Sequence, residues 1–390
     1  MDSVQELLDW ATSHGVKLNG ILPKRIPGRG IGVLATRDIQ ADEIVLDVPT
    51  NCVRSLSTVP KLRLRKLGGN ISVHGILAAD LALDTSTKYS PWNAICPVPE
   101  DLITVPLVWP AELQALLPLR GRELLAKHQV KFSRDWGHVA VAFPELTGTK
   151  GGREREGRDR YRYAWLLVNT RTFYYLNAAI KRRHGATKDD HLALQPVADL
   201  FNHGDEGGCH VAFGSDGFAF RATAPYKKGD EVKICYGRHG GDFLLVEYGF
   251  VMEENCWDET LLDDVVLERL DEKQRERLQD KGFLGGYVLD RETVCHRTQV
   301  ALRLLCCEKV GEWMRFVDGS DGGEASQGVV DKLLLELLRE YRMRVDDTIE
   351  KISGLEVGEQ LQKDILTERW RQICRLLNTR IASLEQEQRT

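Results

Sequence analysis

Apolar positions along the chain follow two rhythms, and the switches between them mark out its parts. Val4, Leu7, Leu8 and Ala11 share one helical face, with Ser3 and Glu6 placed as a capping box and Gly15 as a stop, which predicts a helix within residues 1–18. Residues 31–35 (IGVLA) and 44–48 (IVLDV) are short β-branched runs that read as strands joined by a turn near residues 40–42. Residues 51–145 read as mostly helical, broken at Pro91, Pro97, Pro99, Pro106, Pro110 and Pro118. Residues 148–159 carry no apolar side chain and read as a mobile surface loop, after which residues 161–175 take up an aromatic, apolar pattern suited to a buried helix. Strands return at 211–222 and 231–235, with a hairpin turn at 214–217. From about 260 the pattern is helical. Leu361, Ile365, Trp370, Ile373, Leu377, Ile381 and Leu384 form an amphipathic stripe, and 318–328 is a polar, glycine-rich loop between helices. No internal repeat is present. The fold class expected is α+β: a β-rich part with a helical insertion, then an all-helical end.

Composition narrows the function class. At 390 residues the chain suits two or three domains, and 42% apolar with 28% charged residues is the balance of a soluble globular protein. A net charge of −5 gives no overall electrostatic case for nucleic acid. Local basic runs at 63–66, 153–162 and 181–183 read as solvated surface, with an acidic protein partner or a nuclear-import tag as the alternative. No apolar run approaches the roughly 18–20 residues of a membrane span, and Met1-Asp2-Ser3 does not begin a secretory-type leader. Nine cysteines at irregular spacing, without a CxxC pair, suggest free thiols in a reducing compartment, with Cys306 and Cys307 packed in a helix. His203, Cys209 and His210 fit no common zinc spacing, so no metal is expected.

Chemistry concentrates in three stretches. Gly28-Arg29-Gly30-Ile31-Gly32 is not a dinucleotide loop, because a strand-like run rather than a helix follows it. Glycines there either make a turn or let the backbone approach something closely. Asp199-Leu200-Phe201-Asn202-His203 is followed some thirty residues later by Ile234-Cys235-Tyr236-Gly237 and then Leu244-Leu245-Val246-Glu247-Tyr248-Gly249-Phe250. An Asn-His pair alone also caps a turn, and a Tyr at a strand end also fills a core.

Taken in order, these stretches resemble the SET-domain methyltransferases. Residues 28–39 (GRGIGVLATRDI) are similar to that family's opening motif. Tyr163-Ala164-Trp165 and Asn169-Thr170-Arg171-Thr172-Phe173 match its helix and Thr/Ser-Arg-x-Phe segment. Residues 196–203 (PVADLFNH) match its proline-to-Asn-His segment, and 225–236 (PYKKGDEVKICY) the strand that ends in Tyr-Gly. The resemblance covers residues 19–255, with 51–160 as an insertion. That insertion, a helical end over 256–390 and the lack of post-SET cysteines resemble the Rubisco large-subunit methyltransferase branch. The branch includes fungal ribosomal-protein and elongation-factor lysine methyltransferases.

The resemblance implies S-adenosylmethionine as cofactor and a protein lysine as acceptor. It implies that Gly28, Arg29 and Gly30 lie along the cofactor and that Arg171 holds its carboxylate, a role suited to a planar guanidinium fork. Asn202 and His203 take the methionine end and the adenine edge. Tyr236 is the central catalytic hydroxyl and also touches the cofactor. Phe250 walls the cofactor, and Tyr248, Phe173 and Arg171 line the acceptor side. A phenol of pKa ≈ 10 is a poor base at neutral pH, which leaves Tyr236 orientation and electrostatics. Actin-histidine methyltransferases of the branch carry Asn where this chain has Phe173, whose ring suits a lysine better. Two departures stand out: Phe201 replaces the usual Ile or Met, and Cys235 precedes Tyr236 where Ser or Phe is common. The helical end would bind the substrate protein, with a ribosomal protein or elongation factor as the class suggested. The alternatives are a histidine methyltransferase of the same fold and a non-catalytic interaction module. The cytoplasm and the nucleus are both open as locations, as is the oligomeric state.

Overall fold

Two units make up the chain: Met1–Leu102 with Lys127–Arg238, and Ile103–Ala126 with His239–Thr390. The second unit takes in residues 103–126, from the expected insertion, and 239–255, from the expected first domain. The computed structural model describes residues 3–147, 154–176, 187, 190–214, 217–306 and 309–389. The basic run at 181–183, residues 148–153 of the expected loop, the tip of the 214–217 turn and Cys307 lie outside the described residues.

The first unit carries three small antiparallel sheets. One is β1 (Lys17–Leu18), β4 (Ile44–Pro49), β9 (Gly217–Ala222) and β8 (Cys209–Phe213), in that spatial order. The second runs β10 (Glu231–Val232), β3 (Gly30–Ala35), β2 (Ile21–Ile26), and the third β5 (Arg54–Ser55), β7 (Leu192–Leu194), β6 (Thr172–Tyr174). The runs at 31–35 and 44–48 are strands but belong to different sheets. Each instead finds a partner whose register matches its own buried face. In β4, Val45, Leu46 and Val48 are fully buried, and across from it Phe218, Phe220 and Ala222 supply the inward face of β9.

Helices make up much of the rest of this unit. Ser3–Ser13 buries Leu7, Leu8 and Ala11, the expected stripe. Val73–Ala82 is apolar on all sides and correspondingly buried; Ser72 caps it by accepting from Gly75 N. It packs against Glu154–Arg171, where Trp165 stacks on His74 at 4.1 Å. Two expectations are corrected here. Residues 154–159 belong to that helix rather than to a loop, and Asp159 pairs with Arg155 (i,i+4) and Arg162 (i,i+3) along it. The expected helix over 161–175 ends at Arg171, and Thr172–Tyr174 turns into strand to pair with β7.

The second unit has one apolar core, formed by residues such as Trp109, Leu113, Leu262, Val300, Trp313, Leu334, Trp370 and Leu377. Two long helices, Glu324–Gly354 and Gln360–Glu387, carry a large share of it, and the expected polar loop is cut short because the first begins at Glu324. On the last helix Trp370, Ile373, Leu377 and Leu384 are buried as the stripe predicts. Leu361 is 53% exposed, and the buried positions of that stretch are Gln362 and Leu366. A short ribbon, β11 (Glu259–Leu261) with β12 (Val288–Asp290), precedes the helices. The α+β architecture with a helical end is thus present. Among the described residues no helix is long and apolar enough to cross a membrane.

Candidate active site

Backbone pairing brings the Asn-His segment and the Tyr-Gly segment side by side. Ile234 N donates to Asn202 O at 3.0 Å and Gly204 N donates to Ile234 O at 2.9 Å, a short parallel bridge between loops far apart in sequence. Cys209 N donates to Lys233 O at 2.7 Å and extends the seam. Side chains close it. Tyr236 N donates to His203 Nδ1 at 3.1 Å, and the Tyr236 hydroxyl donates to Phe201 O at 2.7 Å. Because His203 Nδ1 accepts, a neutral His203 carries its proton on Nε2. The approach to this seam starts from strain: Val197, a buried β-branched residue, has φ of 80°. Such a value costs of order 1–3 kcal/mol and persists where the surroundings impose it.

A charge pair, its aspartate buried and its arginine half-buried, lies behind the seam. Arg171, the last residue of its helix, donates through Nη1 to both Asp199 O (2.9 Å) and Asp199 Oδ2 (3.0 Å). Trp92, fully buried in the insertion, donates its indole N–H to the same Oδ2 at 2.9 Å. Burial pushes the Asp199 carboxyl up from the ordinary aspartate range, while Arg171 and the Trp92 N–H pull it back. Burial also opposes the charge on Arg171, but Asp199 outweighs it and the guanidinium is held more firmly cationic than usual. Hydrogen-bonding capacity is left over: Arg171 Nε and Asp199 Oδ1 are buried with no partner among the described residues. Burial pushes the Tyr236 phenol up to about 12, with Arg171 opposing and Asp199 and Glu231 adding. Near neutral pH it is therefore a neutral hydroxyl.

The glycine-rich opening stretch is the β2–β3 hairpin. Gly28 and Gly30 have φ of 74° and 71° at its turn, and a Cβ on either would meet nothing within 4 Å. Gly32 differs: a Cβ there would lie 2.4 Å from Ile26 Cδ1 and 2.7 Å from Asn202 Nδ2. Turn and close approach are thus both present, at different glycines. Asn202 Nδ2 donates to Glu231 Oε1 at 2.8 Å, and Arg29 Nη1 donates to Glu231 Oε2 at 2.9 Å.

Arg171, Asn202, His203 and Tyr236 are therefore assembled in the first unit, with Arg29 joined to them through Glu231. Phe173 reaches the group through aromatic contacts: it packs edge-on against Phe220 at 5.9 Å, and Phe220 stacks on Phe201 at 5.3 Å. Phe201, the unusual residue of its motif, thus supplies both a ring to this stack and the carbonyl to Tyr236. Cys235 is exposed. Tyr248 and Phe250 belong to the second unit. Tyr248 ends the helix Gly241–Tyr248, Gly249 caps it at φ 79°, and the two rings are 6.1 Å apart. Sequence reasoning assigned nothing to Asp199, Trp92 or Glu231. Asp199 and Glu231 lie inside quoted motifs, where an acid beside a candidate site residue was a usable signal. Trp92, 107 residues from Asp199, gave none.

Comparison with known proteins follows the same division. Residues 30–237, more than half of the chain, match the family model of the SET domain, and residues 259–383 match that of the ribosomal lysine N-methyltransferase 2 C-terminal domain. Ribosomal lysine N-methyltransferase set11 of Schizosaccharomyces pombe is 25% identical over 386 residues, covering 93% of this chain and 95% of that protein. SET domain-containing protein 4 of Mus musculus is 27% identical over 386 residues, covering 90% and 84%. Among solved structures, the SET domain of LSMT bound to lysine and AdoHcy matches with a TM-score of 0.63 at 17% identity. The match covers 100% of this chain and 92% of that one. At that identity the likeness is one of fold.

Proposed function

This chain belongs to the SET-domain family, and we propose that it is an S-adenosylmethionine-dependent protein-lysine N-methyltransferase whose substrate is a ribosomal protein. The observation that carries this reading is the Tyr236 hydroxyl held on the Phe201 carbonyl, beside Asn202 and His203 and in front of a half-buried Arg171. Leftover polar capacity fits the cofactor. Arg171 has an unused buried N–H to offer a carboxylate, the Asn202 amide has its oxygen turned away from Glu231, and open backbone flanks Gly28 and Gly30. Arg171, Asn202 and His203, with Arg29 and the two glycines, would hold the cofactor in the first unit, and Phe250 is proposed as a further cofactor residue.

When bound, S-adenosylmethionine supplies a methyl group made electrophilic by its sulfonium. The chain's own task is to present a neutral amine. A lysine of pKa ≈ 10.4 is only about 0.1% neutral near pH 7.5, a cost of about 4 kcal/mol. Aromatic walls lower that cost by disfavouring the ammonium, and Phe173, on its stack with Phe220 and Phe201, is such a wall. With its phenol at about 12, Tyr236 does not take the lysine proton near neutral pH. Its oxygen, anchored by donation to Phe201 O, acts as a fixed dipole, and the proton leaves to water. Tyr248 would line the acceptor side. The helical second unit would bind the substrate protein. A ribosomal substrate is supported by the match of residues 259–383 to the C-terminal domain of a ribosomal lysine methyltransferase and by the likeness to the S. pombe enzyme.

The test is transfer of labelled methyl from S-adenosylmethionine to ribosomes from cells lacking this gene, with wild type beside Tyr236→Phe. The expected result is one labelled protein carrying methyl-lysine, reduced at least about tenfold in the variant. Methyl-histidine in that protein would replace the lysine reading, and labelling confined to non-ribosomal proteins would remove the substrate class.

A further inference from the structure

Glu231 divides its two carboxylate oxygens between two of the residues assigned to the cofactor. Oε1 accepts from Asn202 Nδ2 at 2.8 Å and Oε2 from Arg29 Nη1 at 2.9 Å, with Lys233 Nζ 4.0 Å from Oε2. The Glu231 side chain is 14% exposed and that of Arg29 58%, so the Asn202 bond is the more sheltered of the two. Register fixes the arrangement. Glu231 opens β10 and lies opposite Leu34 of β3. On β3, a Cβ at Gly32 would stand 2.7 Å from Asn202 Nδ2 and 3.0 Å from Glu231 Oε1, so only glycine leaves room for the two side chains to meet.

The bond settles which way the Asn202 amide faces. A carboxylate near neutral pH only accepts hydrogen bonds, so the amide turns its NH2 toward Glu231. Its Oδ1 is then fixed on the opposite side as an acceptor, and an acceptor recruits a donor. The methionine end of S-adenosylmethionine carries one cationic donor, the ammonium, and one anionic acceptor, the carboxylate. An outward oxygen at Asn202 matches the first, and the cationic Arg171 with its unused N–H matches the second.

We propose that Glu231 is a positioning residue: by fixing the orientation of the Asn202 amide it makes the site select a ligand bearing an ammonium group. The proposal rests on the cofactor reading above. Its bland competitor is a Glu231 that only ties β10 to the hairpin. The two differ in what they do to ligand preference. A glutamine at 231 has one acceptor oxygen for two donors, so Glu231→Gln frees either Asn202 or Arg29 and lets the amide turn over.

The experiment is titration calorimetry on the full chain with two ligands. S-adenosylhomocysteine carries the ammonium and the carboxylate; 5′-methylthioadenosine has the adenosine and lacks both. Glu231→Gln is expected to weaken S-adenosylhomocysteine about tenfold or more while 5′-methylthioadenosine changes less than about twofold. Gly32→Ala, which wedges Asn202 and Glu231 apart from the other strand, is expected to give the same selective loss, and thermal melts check that both variants fold. Equal loss of the two ligands, or no loss of either, would overturn the positioning role. A wild-type protein that binds neither ligand would overturn the cofactor reading itself, and this proposal with it.

Discussion

The molecule sets an arginine against aspartate in several places, and two of them, one in each unit, use the pair for different ends. In the second unit Arg369 has every nitrogen engaged. Nε donates to Asp242 Oδ1 at 2.6 Å, Nη1 to both oxygens of Asp258 at 2.9 Å and to Gln372 Oε1 at 3.2 Å, and Nη2 to Glu259 O at 2.8 Å. Asp258 Oδ1 also accepts from Gly241 N and Glu259 N, each at 3.0 Å. In the first unit Arg171 and Asp199 each retain a buried polar atom with no partner among the described residues. A satisfied cluster gains nothing from a ligand, and an unsatisfied one is already desolvated and does. Residue types are alike in the two places, although Arg369 is fully buried and the Arg171 side chain is 19% exposed. Hydrogen-bond completeness is what separates these two clusters.

The largest effect that tests this contrast is on folding. Arg369→Met removes the cation bonded to Asp242 and Asp258 and leaves two buried carboxylates, with burial already holding Asp242 above the usual aspartate range. A loss of about 3–5 kcal/mol from the second unit is expected in urea denaturation. Replacing Asp242 by Leu in the same chain should restore part of it, since one of the two stranded carboxylates is then gone and Asp258 keeps the Gly241 and Glu259 N–H donors. A single replacement that leaves the unfolding curve in place would mean that the cluster is no structural tie.

Next comes Arg171→Lys, which keeps the charge and loses the fork. S-adenosylhomocysteine affinity is expected to fall by at least about tenfold, while the unfolding midpoint moves far less than in Arg369→Met. A variant that loses stability like Arg369→Met and binds ligand normally would erase the distinction between the two clusters.

Legibility in the sequence follows the same line. Elements with a period were readable: the first helix, the strands at 30–35 and 44–49, and the stripe on the last helix. Which sheet each strand joins was not, because β3 and β4 pair with chain segments far away in sequence. The Asn-His and Tyr-Gly segments could be picked out only as motifs. What joins them is a bridge of a few backbone bonds at Ile234, and no periodicity announces that. Gln362 and Arg369 show a signal left unused. They fall on the apolar face of the last helix, at three- and four-residue steps from Leu366 and Ile373, and polar residues placed there are buried with partners. Trp92 has no such signal, since a tryptophan in a proline-broken stretch fits any core.

Trp92→Phe makes the smallest change and probes the finest part of the comparison. It keeps a ring in the buried slot and deletes the one indole N–H that reaches Asp199 Oδ2. Burial is the main influence raising the Asp199 carboxyl, and the Trp92 hydrogen bond is one of the influences lowering it. Without that bond the carboxyl rises further. Asp199 holds Arg171 as a carboxylate, so the hold is present above its pKa and is lost as the pH falls through it. Raising the pKa moves that loss to higher pH. The acid limb of S-adenosylhomocysteine affinity should therefore shift upward in pH in Trp92→Phe, with affinity on the neutral plateau changed by less than in Arg171→Lys. Loss of packing alone would lower affinity at every pH by the same factor and leave the limb where it was. A limb that stays put, or moves to lower pH, would show that Trp92 fills space and does not tune the charge pair behind the seam.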